Sequence, residues 1–134
     1  MTSNRLFMTR TILMGATGLI CALYAVLALV MGRPDPFPFW IPGLVGFAAW
    51  LTIWKAAGLA GPDVAGQSFD EGFRADNLHA QAFAFWVAVW MYPVFGFLLW
   101  QGVVEGPVAF ASMGCLTAAS YLLGLIWRDI KGRG

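Results

Sequence analysis

Apolar residues gather into four blocks along the chain. Thr11 to Met31 runs 21 residues without a charge, Phe39 to Trp54 runs 16, and Ala80 to Trp100 and Pro107 to Trp127 run 21 each. A 21-residue helix rises about 31 Å, close to the roughly 30 Å hydrocarbon thickness of a bilayer. The second block reaches that length only if the helix continues to about residue 57, with Lys55 extending its ammonium to the interface. The pattern therefore predicts an all-α polytopic membrane protein. Its single domain holds four transmembrane helices at about 11–31, 39–57, 80–100 and 107–127, with a hydrophilic segment over 58–79.

The connections support the division. Gly32-Arg33-Pro34-Asp35-Pro36-Phe37-Pro38 cannot be helical, because alternating prolines remove amide donors and fix φ. Pro42 is tolerated near a helix start, and Gln101 to Gly106 is short enough to force an antiparallel turn. In the longest connection Gly61-Pro62-Asp63 reads as a break. Ser68-Phe69-Asp70-Glu71 matches the Ser-x-x-Glu capping box, which predicts a helix from near Phe69 running into the third span. Two antiparallel hairpins forming a four-helix bundle follow, and two-span halves of like orientation exclude inverted repeats.

Charge then orients the chain. Arg5 and Arg10 precede the first span, Lys55 and Arg74 lie between the second and third, and Arg128, Lys131 and Arg133 follow the fourth. Only Arg33 falls on the other side, so the positive-inside rule places both termini in the cytoplasm and the chain in the inner (plasma) membrane. Trp40 and Trp100 fall at the outer boundary and Trp54 and Trp127 at the inner one, where amphipathic rings prefer to sit. The first block exceeds the apolar core of a signal peptide and is followed by no small-x-small cleavage site, so it is expected to persist as a helix. Neither end carries a lipidation pattern.

Composition narrows the function classes. With 60% hydrophobic and 11% charged residues, against roughly 25% charged in soluble domains, a water-soluble fold is excluded. A net charge of +1 gives no bulk attraction for nucleic acid.

Small residues should mark the packed faces of membrane helices. Gly15, Gly18, Ala22 and Ala25 form one such stripe, Ala80, Ala84 and Ala88 a second, and Ala111, Cys115 and Ala119 a third. Roughly opposite the alanines of the third span lie Phe83, Trp86, Trp90, Phe97 and Trp100. These rings face lipid or dock another membrane protein, for which aromatics are favoured anchors. Phe83, Trp86, Trp90 and Phe97 are the candidate partner interface. Pro93 frees the Val89 carbonyl and predicts a kink in the third span.

Chemistry-bearing residues are few. No charged residue lies inside the four apolar blocks, Lys55 sitting only at the end of the second span, which argues against ion-coupled transport by this chain alone. The candidate polar cluster is Asp70, Glu71, Arg74, Asp76 and His79, at the mouth of the third span. Asp76-x-x-His79 shares a helix face, but carboxylate-bridged metal sites need ligands from several helices. The simpler expectation is that Asp70 and Glu71 favour the helix dipole and Asp70 pairs with Arg74. Cys21 and Cys115 lack a Cys-x-x-Cys spacing and are read as packing residues. No phosphate loop, nucleophile elbow or zinc-protease signature occurs, so no catalytic, cofactor or metal residue is assigned and no cofactor is expected.

Asp70-Glu71-Gly72-Phe73-Arg74, followed by Ala80 and Phe83 at the entry to a span, is similar to a segment of a group of small, uncharacterised prokaryotic four-helix integral membrane proteins. In that group an Asp-Glu-Arg-type stretch joins two hairpins. Here Gly72 and Phe73 separate the acidic pair from the arginine. The resemblance implies the fold and no activity.

The expected function is that of a non-enzymatic accessory or scaffold subunit, packing in the lipid bilayer as a homo-oligomer or against other membrane proteins. An alternative is an oligomeric passive channel or small-solute transporter lined by Tyr24, Tyr92, Tyr121 and Gln81. A third is an enzyme using Asp70, Glu71, Asp76 and His79.

Overall fold

The computed structural model describes residues 1–133, apart from the side chain of Arg133. Arg133 as an orienting charge and Gly134 at the chain end thus lie outside the described residues. Five helices follow one another: α1 (Ser3–Met31), α2 (Trp40–Ala60), α3 (Pro62–Ser68), α4 (Glu71–Trp100) and α5 (Gly106–Arg133). Four of them, all but α3, are long and apolar enough to cross a membrane.

The long helices outrun the apolar blocks at the end where the termini lie. α1 begins eight residues before Thr11, because Thr2 caps it by accepting the Arg5 amide and no breaker intervenes. α2 starts with Pro42 in its first turn and ends at Gly61, whose φ of 87° suits glycine. Pro62 then opens α3 at its first position.

The expected capping box is corrected here. Ser68 is the last residue of α3, and α4 starts at Glu71 with Asp70 as its cap, accepting the Phe73 amide at 2.9 Å. The Gly61-Pro62 break launches a separate short helix, which places Ser68 at a helix end rather than a start. α4 then runs without interruption through Pro93 to Trp100.

α1 packs along α5 and also against α2, while α4 packs against α5, with no extensive contact between α2 and α4. The row is therefore α2, α1, α5, α4. The central seam is antiparallel: a Cβ placed on Gly15 would meet Ile126 at 3.4 Å, and one on Gly18 would meet Leu122 Cβ at 3.1 Å and Leu123 Cδ2 at 3.0 Å. Glycine at 18 is what allows the two helices to approach so closely. The α4–α5 contact buries Ala80 and Ala84, and beyond them Met91 and Phe95 pack with Ala109. At the far end Tyr24 donates to the Pro34 carbonyl at 2.7 Å and meets Phe37 edge-on, fastening the proline-rich loop to α1.

Candidate functional site

The helix periodicity of α1 places Leu6 and Arg10 one turn apart on the face that meets α5. On α5, Leu125 and Asp129 are likewise one turn apart and buried. Leu6, Leu125 and Arg10 are each no more than 1% exposed. A charge so deeply buried requires compensation. Arg10 Nη2 donates to Asp129 Oδ2 in an ion pair, and Nη1 donates to the Ser68 carbonyl at the end of α3.

Three rings complete the enclosure. The guanidinium carbon lies 4.0 Å from the Phe73 centroid, 5.1 Å from Phe69 and 5.5 Å from Phe7, within cation–π range. Phe69 and Phe73 are edge-to-face at 5.3 Å. The Ser3 and Ser68 hydroxyls lie 3.4 Å apart beside them. One arginine thus ties the start of α1, the α3–α4 junction and the end of α5 together. Its delocalised, planar cation suits this combination of carboxylate, carbonyl and aromatic faces better than an ammonium would. Closed off from solvent, the cluster acts as a clamp.

The five polar residues expected to gather at the mouth of α4 do not converge. Asp70 is taken up by the Phe73 amide, and no ion pair joins it to Arg74 among the described residues. Glu71, Arg74 and His79 are exposed, and His79 Nδ1 donates to the Ala75 carbonyl at 2.8 Å. Asp76 turns toward α5, its Oδ2 lying 3.9 Å from a Cβ built on Gly132. Among the described residues no three His, Cys, Asp or Glu side chains are grouped to hold a metal ion.

On α4 the rings of Phe83, Trp86, Trp90 and Phe97 are 53–67% exposed; Trp86, Trp90 and Phe97 lie away from the buried alanines, whereas Phe83 flanks them and reaches α5, 3.6 Å from a Cβ placed on Gly124. Of the four polar groups offered as a channel lining, Tyr121 donates to Asn77 Oδ1 at 2.5 Å between α5 and α4 and also interacts with the Gln81 side chain, whereas Tyr24 is occupied by Pro34 and Tyr92 is exposed on α4.

The sequence marks Arg10 only as an orienting charge and Ser68-Phe69 only as an expected helix start, and it gives Asp129 and Phe73 no role in a buried cluster. The signal was present: Arg10 lies one residue before the first apolar block and Asp129 two residues after the last, so opposite charges sit at equal depth on two helices. No family model, curated protein or solved structure matches the chain.

Proposed function

We propose that the chain is a non-enzymatic inner-membrane protein of two antiparallel hairpins, with both termini in the cytoplasm, that serves as an accessory or scaffold subunit. The observation that carries this is the division of α4 into two faces. Its alanine face is used against α5, with Phe83 reaching α5 beside Gly124, while Trp86, Trp90 and Phe97 stay mostly exposed. A ring face of this kind supplies anchors for a second copy or a larger membrane complex. The Arg10 clamp fits the same role, because it fixes the three cytoplasmic segments and leaves the opposite edge of the row to a partner.

Native mass analysis of the chain extracted in mild detergent tests the reading. A dimer or larger assembly that Trp86→Leu/Trp90→Leu converts to monomer supports it, whereas a strictly monomeric wild type with no companion overturns it.

A further inference from the structure

Beside the Arg10 clamp lies a cavity of about 470 Å³, bordered by all four long helices and by Phe69 at the α3–α4 junction. Its size falls within the roughly 300–1,000 Å³ of small-molecule sites, which in bundles form between helices.

The wall is rich in rings. Trp50, Trp54, Phe69, Phe73 and Tyr121 all border the space. Trp50 and Trp54 are stacked at 6.4 Å with an interplanar angle of 10°, and Phe69 and Phe73 meet edge to face at 5.3 Å. Such rings gain most from another flat, conjugated ring, which can stack on them or meet them edge-on.

Charge narrows the occupant further. Among the described residues no charged side chain borders the cavity, so an anion finds no counter-charge there. A cation is opposed, because Phe69 and Phe73 already lie against the Arg10 guanidinium. The occupant is neutral.

The polar groups on the wall fix the rest. The Tyr121 hydroxyl donates to Asn77 Oδ1 at 2.5 Å and interacts with the Gln81 side chain, so it is committed. The Thr17 hydroxyl donates to the Leu13 carbonyl at 2.8 Å. Asn77 meets Tyr121 with its oxygen, which leaves its Nδ2 hydrogens without an acceptor among the described residues. The indole N–H groups of Trp50 and Trp54 have no acceptor among them either. The wall's uncommitted polar hydrogens therefore call for a ligand that accepts, and a carbonyl oxygen does so strongly. A saturated acyl chain would leave these donors unpaired and draw nothing specific from the ring faces.

We propose that this cavity binds the ring of a lipid-soluble quinone, a neutral flat molecule with carbonyl oxygens on its edge. The aromatic side chains take the ring, and the Asn77 amide donates to one carbonyl. The proposal concerns binding alone and goes beyond the accessory role.

The test is equilibrium dialysis of the full chain in nanodiscs against empty nanodiscs, with two probes of one carbon skeleton. Duroquinone carries the two carbonyls and durene lacks them. Every other ring carbon of duroquinone is methylated, which keeps Cys21 and Cys115 from adding to it. Wild type is expected to bind about one duroquinone per chain, saturably and at least about tenfold tighter than durene. Asn77→Leu should abolish that preference while leaving durene binding unchanged. Trp50→Leu/Trp54→Leu, at two exposed positions, should weaken both probes about tenfold. Trp86→Leu, which does not border the cavity, should behave as wild type.

No saturable duroquinone binding by wild type overturns the proposal. Equal affinity for the two probes does so as well, since it leaves an apolar hole without carbonyl recognition, and that comparison needs no variant to fold. Unchanged duroquinone binding by the double tryptophan variant, or a preference that persists in a helical Asn77→Leu chain, overturns the assignment of the site. Probe bound per chain is read whichever way the protein is inserted and whether or not it self-associates, so failure here is distinct from failure of the accessory role.

Discussion

Removing the Asp129 carboxylate takes a counter-charge from the Arg10 guanidinium, which is buried at 1% exposure. Breaking a buried pair by deleting one partner costs about 3–5 kcal/mol, because the remaining charge is stranded. The Ser68 carbonyl and the three phenylalanine rings offset part of this, with cation–π contacts of about 0.5–2 kcal/mol. Asp129→Leu is therefore expected to destabilise the protein by about 3 kcal/mol. Replacing both partners with apolar side chains removes the desolvation problem, so Arg10→Met/Asp129→Leu should lie within about 1 kcal/mol of wild type or above it. The assay is reversible unfolding in mixed micelles titrated with a denaturing detergent, arranged as a double-mutant cycle. Arg5→Met, at an exposed position of the same helix, is the control and should move stability by less than about 0.5 kcal/mol. If Asp129→Leu costs no more than Arg5→Met, or the double variant is as unstable as the sum of the single ones, the clamp account fails.

Other consequences follow from packing and capping. Gly18→Leu forces a side chain into Leu122 and Leu123 and should cost about 1–3 kcal/mol in the same titration, whereas Gly96→Ala, inside α4 where a Cβ meets nothing, should be neutral or stabilise by up to about 1 kcal/mol. Asp70→Ala removes the α4 cap and should cost about 1 kcal/mol, with hydrogen exchange rising at the amides of residues 71–74. Tyr24→Phe keeps the ring contact with Phe37 and loses the bond to Pro34. It should cost about 1 kcal/mol and speed proteolysis between residues 32 and 39 with little change elsewhere.

The helices and their packed faces were legible because membrane helices reveal themselves through local signals. An uncharged run marks the span, Pro and Gly mark the ends, and the Gly18, Ala80 and Ala84 stripes mark the contacts that are in fact buried. Ser68 misled because a capping-box pattern does not say whether its serine ends the preceding helix or begins the next. Asp70, two residues on, has the extended backbone and the free carboxylate that a cap needs. The Arg10 clamp was harder to foresee because its parts come from three segments separated by 58 and 119 residues. Nothing in the spacing says that a basic residue beside a span turns inward to a partner instead of outward to headgroups. Glycines that look alike in sequence also differ in the fold: Gly46 packs, a Cβ there meeting Thr17 at 3.4 Å, whereas one on Gly43 or Gly114 meets nothing within 4 Å.

Topology tests the central claim most directly. In a background with Cys21→Ala and Cys115→Ala, single cysteines at Asn4, Asp35 and Lys131, all exposed positions, are labelled with a membrane-impermeant thiol reagent in intact spheroplasts and in inside-out vesicles. The account predicts that the Asn4 and Lys131 positions react only in inside-out vesicles and the Asp35 position only in spheroplasts. Reaction of Asn4 and Lys131 from opposite sides would contradict it.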